Sequence, residues 1–205
     1  MQKYGCCNAA YVVGDVVMLP VYSHSVFNEA FYNLILRVSR LSGTADYVPI
    51  TVSGELLSEL DMLCEGERLS VSGQLRSYNK LVEGSGRLVI TVFGKNIIKL
   101  SKEAECDNEI RLVGSVCKPV VYRKTPLARE ITDILLAVNR AYGKSDYLPC
   151  IAWGKNARSL QTLSVGDSIS IVGRLQSREY TKRDENGNTS VRTAYEVSIN
   201  EYELL

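Results

Sequence analysis

The chain has a single tryptophan, Trp153, in the run C-I-A-W-G-K-N-A, with Lys155 two residues on. An indole ring offers a flat stacking surface, and a cation beside it can hold a neighbouring anion. A second such grouping lies in S-I-S-I-V-G-R-L-Q-S-R-E-Y, residues 168–180, where apolar and polar residues alternate. By period two, Ile169, Ile171, Gly173 and Leu175 share one face of a strand, and Ser170, Val172, Arg174, Gln176, Arg178 and Tyr180 share the other. A strand with an apolar inner face and two arginines and a tyrosine outside is the layout of a barrel wall used as a platform. Other chemistry is poorly supplied. The one histidine, His24, has no cysteine near it, and the cysteines at 6, 7, 64, 106, 117 and 150 form no C-x-x-C pair. Neither a metal site nor a Cys/His nucleophile is therefore expected. Gly154-Lys155 does not end a phosphate-binding loop, since the upstream glycine is missing and Asn156 stands where Ser or Thr is needed. No enzyme activity and no cofactor is expected.

Each grouping also has a plain structural reading. Strand aromatics commonly pack in a core or along an edge. Trp153 shares a face with Tyr147 and Ile151, while Leu148, Cys150 and Ala152 share the other. The small residues suit a narrow barrel interior, which puts Trp153 outside, but both faces are apolar and spacing leaves the two readings open. Arg174 and Arg178 can equally be a solvated strand face, and D-E-N-G-N reads as a turn. Cys117 and Cys150, in strand-like runs, read as small core residues, whereas Cys6 and Cys7 read as exposed.

The elements that position these residues belong to a tandem duplication. Shifted by one hundred residues, Val13-Gly14 meets Val113-Gly114, and Leu36, Val38 and Arg40 meet Leu136, Val138 and Arg140. Gly43, Asp46, Tyr47 and Pro49 recur, as do Gly54, Leu60, Leu63, Gly66, Ser70, Gly73, Leu75 and Ser77. Tyr22 recurs as Tyr122, which favours a structural role for both. The expected organisation is a tail over 1–9, a first repeat over 10–100, a short charged linker over 101–106 and a second repeat over 107–205. In the second repeat, I-R-L-V-G-S-V, I-T-D-I-L-L-A-V-N-R and Y-L-P-C-I-A-W read as three strands, and N-A-R-S-L-Q-T-L, residues 156–163, as a short helix. Residues 168–180 and T-A-Y-E-V-S-I-N form a final hairpin with Asn186-Gly187 at its tip. That order predicts an all-β protein of two tandem five-stranded Greek-key OB-fold barrels, each with one short helix.

Net charge is +1. Residues 10–100 carry eight Lys and Arg against nine Asp and Glu, and residues 107–195 carry fourteen against nine. The second repeat is the more cationic and the better suited to a polyanion. No apolar run approaches the ~20 residues that span a bilayer, and the N-terminus lacks a secretory signal. No membrane partner and a cytoplasmic location are expected.

The runs N-E-I-R-L-V-G, L-L-A-V-N-R, A-W-G-K, G-D-S-I-S-I-V-G-R-L-Q-S-R-E-Y and D-E-N-G-N resemble the bacterial single-stranded DNA-binding protein family across residues 107–205. The first repeat matches through its glycines and apolar positions only, and resembles a diverged member of the superfamily that includes the primosomal replication protein N. The resemblance implies sequence-tolerant binding of single-stranded DNA in replication, recombination or repair. It places base stacking on Tyr147, Trp153 and Tyr180. It places phosphate contacts on Arg140, Lys155, Arg174, Arg178, Lys182, Arg183 and Arg192, with Arg123 and Lys124 after the first strand.

In the first repeat Tyr47 keeps one stacking position, but Ser53 stands for Trp153, Glu55 for Lys155 and Gln74 for Arg174. Arg76, Tyr78 and Lys80 remain as weaker DNA contacts, so this repeat is expected mainly to build the assembly. Family members often assemble four barrels, which two such chains would supply as a homodimer. They also usually end in an acidic tail that recruits replication and repair enzymes; this sequence stops at N-E-Y-E-L-L, which argues against recruitment by that route. The rival expectation is a primosome-like protein-interaction module that binds nucleic acid weakly.

Overall fold

The computed structural model describes residues 7–82, 85–140, 143–183, 187 and 189–205. The first repeat runs β1 (Asn8–Val26), β2 (Glu29–Ser39), β3 (Ala45–Ser53), α1 (Gly54–Ser58), β4 (Arg68–Val82) and β5 (Ser85–Leu100). The second runs β6 (Asp107–Val116), β7 (Val121–Lys124), β8 (Glu130–Asn139), β9 (Ser145–Trp153), α2 (Gly154–Leu160), β10 (Ser168–Arg183) and β11 (Thr189–Leu204). In the first, β1 pairs with both β2 and β4, β2 with β3, β3 in parallel with β5, and β5 with β4, which closes a ring of five. The second closes the same way through β6, β8, β9, β11 and β10, with β7 added beside β8. These are the two OB-fold barrels expected from the repeat.

The period-two faces hold. Ile169, Ile171 and Leu175 are buried, as are Ile134, Leu136 and Val138 of β8 and Leu148, Cys150 and Ala152 of β9. Small residues fill the barrel, and Trp153 projects outward, which closes the question that spacing left open. Three details differ from expectation. The second repeat has a strand beyond the expected five: its first strand ends at Val116, as read, and past Pro119, which offers no N–H to a ladder, the chain pairs again with β8 from Val121. In the first repeat the same stretch stays in β1, with a register slip between Met18 and Val21 around Pro20. The helix occupies Gly154–Leu160 rather than 156–163, because Gly154, at φ +53°, turns the chain out of β9 directly into it. Ala157 and Leu160 still face the core. Cys117 lies just past β6, half-buried, with its thiol donating to the Leu135 carbonyl at 3.2 Å. Cys7 is exposed; Cys6 and Asn186 lie outside the described residues, while Gly187 has the positive φ, +84°, of a tight turn.

The barrels join edge to edge. Antiparallel pairing of β1 with β6 sets Asn8 opposite Leu112, Ala10 opposite Ile110 and Val13 opposite Asp107. Ala10 and Ile110 are equivalent positions of the hundred-residue repeat, so an approximate two-fold axis passes between them. Beside this joint Asn8 and Asn108 each bond the backbone of their own barrel, at Leu75 and Leu175, donating to the carbonyl and accepting from the N–H at 2.7–2.9 Å. Those backbones follow the bulges at Gly73 and Gly173, where a Cβ would stand 2.0 and 2.2 Å from the carbonyls of Phe93 and Ser198.

Candidate nucleic-acid interface

Trp153 ends β9 and occupies the position before α2, with extended backbone and no side-chain cap. Its counterpart Ser53 is buried and caps α1, accepting from the Leu56 N–H at 3.3 Å. A serine there satisfies one of the open N–H groups of a helix start, a contribution of about 1 kcal/mol. The tryptophan gives up that bond and puts an indole, 37% exposed, on the barrel's outer wall. The exchange is one of local stability for exposed ring surface.

The indole lines a cleft with Arg174, Gln176 and Arg178 from β10 and Ser198 and Asn200 from β11. Two further arginines line it that the sequence did not single out: Arg129, before β8, and Arg40 from the other barrel. Arg40 left a signal, its recurrence as Arg140, but its reach across the joint did not. Within this cleft Arg178 has no ion pair among the described residues, and its guanidinium lies 5.8 Å from the centre of the exposed Tyr180 ring. Burial, with repulsion from Arg40, lowers the pKa of Arg174 against the pull of Asp46. Its Nε is buried with no hydrogen-bond partner, 3.8 Å from Asp46 Oδ2, and the guanidinium makes no hydrogen bond among the described residues.

Not all the expected contacts converge here. Tyr147, 52% exposed, lies in a separate groove with Ser77, Tyr78 and Lys118. Arg140 is engaged in a fork with Asp146, Nε to Oδ2 at 2.6 Å, and its Nη2 also donates to the Ser77 carbonyl at 3.1 Å. The hydrogen bond to Asp146 raises its pKa. Asp146, fully buried, accepts as well from the Ser77 N–H at 2.5 Å and pairs with Arg76 at 3.5 Å. Desolvation, reinforced by Arg140, lowers the pKa of Arg76. The other barrel mirrors this lock: Arg40 donates to Asp46, which accepts from the Ser177 N–H at 3.1 Å, and the Tyr47 and Tyr147 N–H groups donate to Ser177 and Ser77 Oγ. The recurring Asp46, Asp146, Ser77 and Ser177 thus rivet the barrels together.

Of the remaining cations, Arg123 is paired with Asp133 at 2.7 Å, and Arg192, opposite Tyr180, donates to Ser190 Oγ at 3.4 Å. Lys124 and Lys155 are exposed and without an ion pair among the described residues. Lys182 and Arg183 lie on β10 opposite Ser190 and Thr189, and their side chains fall outside the described residues. In the first barrel Tyr47, Tyr78 and Lys80 are exposed. Arg76 and Tyr78 line a second cleft, on that barrel, with Arg140 and Lys144 reaching in from the second. Among the described residues no cluster of metal-ligating side chains is present and no helix is long and apolar enough to cross a membrane.

Residues 107–205 match the model of the single-strand binding protein family. The chain is 34% identical over 84 residues to a single-stranded DNA-binding protein of Clostridium tetani, covering 38% of this chain and 58% of that protein. It is 30% identical over 105 residues to single-stranded DNA-binding protein 2 of Streptococcus agalactiae, covering 48% of this chain and 76% of that protein. The crystal structure of the single-stranded DNA binding protein from Thermus aquaticus superposes with a TM-score of 0.78 at 21% identity, over 97% of this chain and 92% of that one. That likeness extends the shared fold over both barrels.

Proposed function

The chain belongs to the single-strand binding protein family, and from that premise we propose that it binds single-stranded DNA, tolerant of sequence and without catalysis, mainly through its second barrel. The reading assigns 107–205 to the binding repeat, 10–100 to the supporting one, 101–106 to the linker and 1–9 to a tail. Trp153 and Tyr180 stack bases, a contribution of roughly 1–3 kcal/mol each that any base can make. Arg174 and Arg178 hold the phosphates between them, with Lys155 and Arg192 extending the track. Tyr147 continues the path into the groove it shares with Tyr78.

The observation that carries this reading is Arg174. A buried guanidinium Nε with no hydrogen-bond partner is costly, and a chain keeps it where an outside anion uses the rest of the group. It stands in one cleft with the exposed indole, so stacking and phosphate holding are adjacent. Titration of labelled oligo-dT at two salt concentrations, followed by Trp153 fluorescence, tests it. The expected result is strong quenching, with affinity falling by a log–log slope of about −0.7 per phosphate neutralised. No binding at low salt overturns it.

One observation favours the rival reading, a protein-interaction module. Phe27, at the tip of the β1–β2 hairpin and at φ +48°, is fully exposed, an unusual use of an apolar ring. A homodimer with four barrels is part of the proposal; Val17, Leu19 and Val21 on β1 offer it exposed apolar surface. Sedimentation equilibrium tests it, and a monomer at micromolar concentration removes it.

A further inference from the structure

The cleft of the first barrel differs from that of the second at its floor. Asn33 of β2, Thr51 of β3 and Thr91 of β5 form a chain of uncharged hydrogen bonds there. Thr51 Oγ1 donates to Asn33 Oδ1 at 2.9 Å and accepts at 2.9 Å from Thr91 Oγ1, whose proton is shared with the Pro49 carbonyl 3.1 Å away. Both threonines are buried. The Asn33 amide is thereby held with its oxygen taken. Its nitrogen, a donor of two protons, has no partner among the described residues.

Aromatic rings wall this cleft. Phe93 lines it and packs 5.6 Å from Phe31, which stacks on His24 at 5.2 Å and 17°. Tyr78 lines it as well, and the cations around it are Arg76 from the first barrel and Arg140 and Lys144 from the second. The corresponding floor in the second barrel is built otherwise. Ile151 stands where Thr51 does, opposite Asp133, which is paired with Arg123, and Glu196 stands where Thr91 does, accepting from Gln176 at 2.7 Å. The isoleucine supports stacking, and the polar side chains beside it are committed to one another.

We propose that the first barrel's cleft reads one base of the bound strand, with Asn33 Nδ2 as the group that favours keto bases, thymine and guanine. This rests on the reading of the chain as a single-stranded DNA binder. Among the polar groups that line the cleft, the Asn33 amide nitrogen and the Lys144 ammonium can only donate, and neither has a partner among the described residues. A carbonyl oxygen of thymine satisfies such a donor. The exocyclic amino group of cytosine sets donor against donor, and the unpaired group in a partly enclosed cleft is penalised. The first barrel, poorer in stacking at Ser53, is in this respect the more selective of the two.

The test compares binding of equal-length dT and dC oligonucleotides to the wild-type chain and to Asn33→Leu and Asn33→Asp, with circular dichroism to establish that each variant keeps its strand content. The wild-type chain should prefer dT, and Asn33→Leu should reduce the dT-to-dC ratio by between about two- and ten-fold, the span of one hydrogen bond. Asn33→Asp presents an acceptor that suits the cytosine amino group, so the ratio should fall further even as the added negative charge weakens both. If all three proteins bind both oligonucleotides with the same ratio, the assignment of Asn33 is wrong and the binding function stands. If the wild-type chain binds neither oligonucleotide, the parent reading fails and takes this one with it.

Discussion

Arg174→Met changes two observables in opposite directions. In the folded protein the arginine keeps a buried Nε that has no hydrogen-bond partner among the described residues and sits 3.8 Å from a carboxylate already satisfied by Arg40 and by the Ser177 N–H. A buried unsatisfied donor costs about 1–3 kcal/mol. Asp46 loses little when Arg174 leaves, because its closer partners remain. The stem packs beside the Trp153 cleft, and methionine retains most of that apolar length. The net expectation is a gain of about 1 kcal/mol, which in a chain of this size raises the melting temperature by about 2–4 °C. Binding should move the other way. A charge-assisted hydrogen bond to phosphate is worth about 1.5–3 kcal/mol, so affinity for oligo-dT should drop between about ten- and a hundred-fold. The log–log salt slope should become shallower by about 0.7, one phosphate fewer. Differential scanning calorimetry and anisotropy titrations across a salt series read both. A melting temperature that falls while the salt slope stays constant refutes the reasoning, since it makes Arg174 a structural partner of Asp46 and leaves the phosphate role without support.

Trp153→Ala should weaken oligo-dT binding by about 1–3 kcal/mol without altering the salt slope, because stacking releases no counterions; Tyr47→Ala should cost less, and equal losses in the two titrations defeat the proposed asymmetry between barrels. Asp46→Asn and Asp146→Asn each remove a buried carboxylate that ties an arginine to the opposite barrel's backbone, so chemical denaturation should show each destabilised by about 3–5 kcal/mol, and by similar amounts given the approximate two-fold. Burial pushes the Cys150 thiol far up in pKa, and raises that of Cys117. A native thiol titration should therefore label Cys7 and Cys64, exposed at the surface, well before Cys150, which should react only on unfolding.

The barrels were legible in the sequence because alternation and recurrence are local signals. Ile169, Ile171 and Leu175 announce a wall at period two, and the hundred-residue shift turns one wall into two. Contacts between the copies were less so. Arg140 recurs as Arg40, and a recurring arginine looks the same whether it faces phosphate or a buried aspartate; only the reach to Ser77 and Asp146 shows the second. The cleft around Trp153 borrows Arg40 from across the joint, and the first barrel's cleft borrows Lys144, neither of which any spacing within one copy could indicate. The helix start was misplaced for a local reason. Gly154 takes a positive φ that ends the strand and begins the helix in one residue, and a glycine's conformation cannot be read from its type. Asn33, Thr51 and Thr91 went unnoticed because three small polar residues on three strands carry no pattern until the barrel closes.

The pairing of β1 with β6 through Ala10 and Ile110 has the geometry of a symmetric dimer interface, yet both sides belong to one polypeptide. In a true homodimer one codon sets both copies of every residue, so a change that improves one cleft is imposed on the other. Here each side is written separately. Ser53 can cap a helix while Trp153 exposes an indole, and Asn33 can offer a donor while Asp133 holds Arg123, with neither choice forced on its twin. Fusion of the halves frees them to specialise without loosening the joint that holds them.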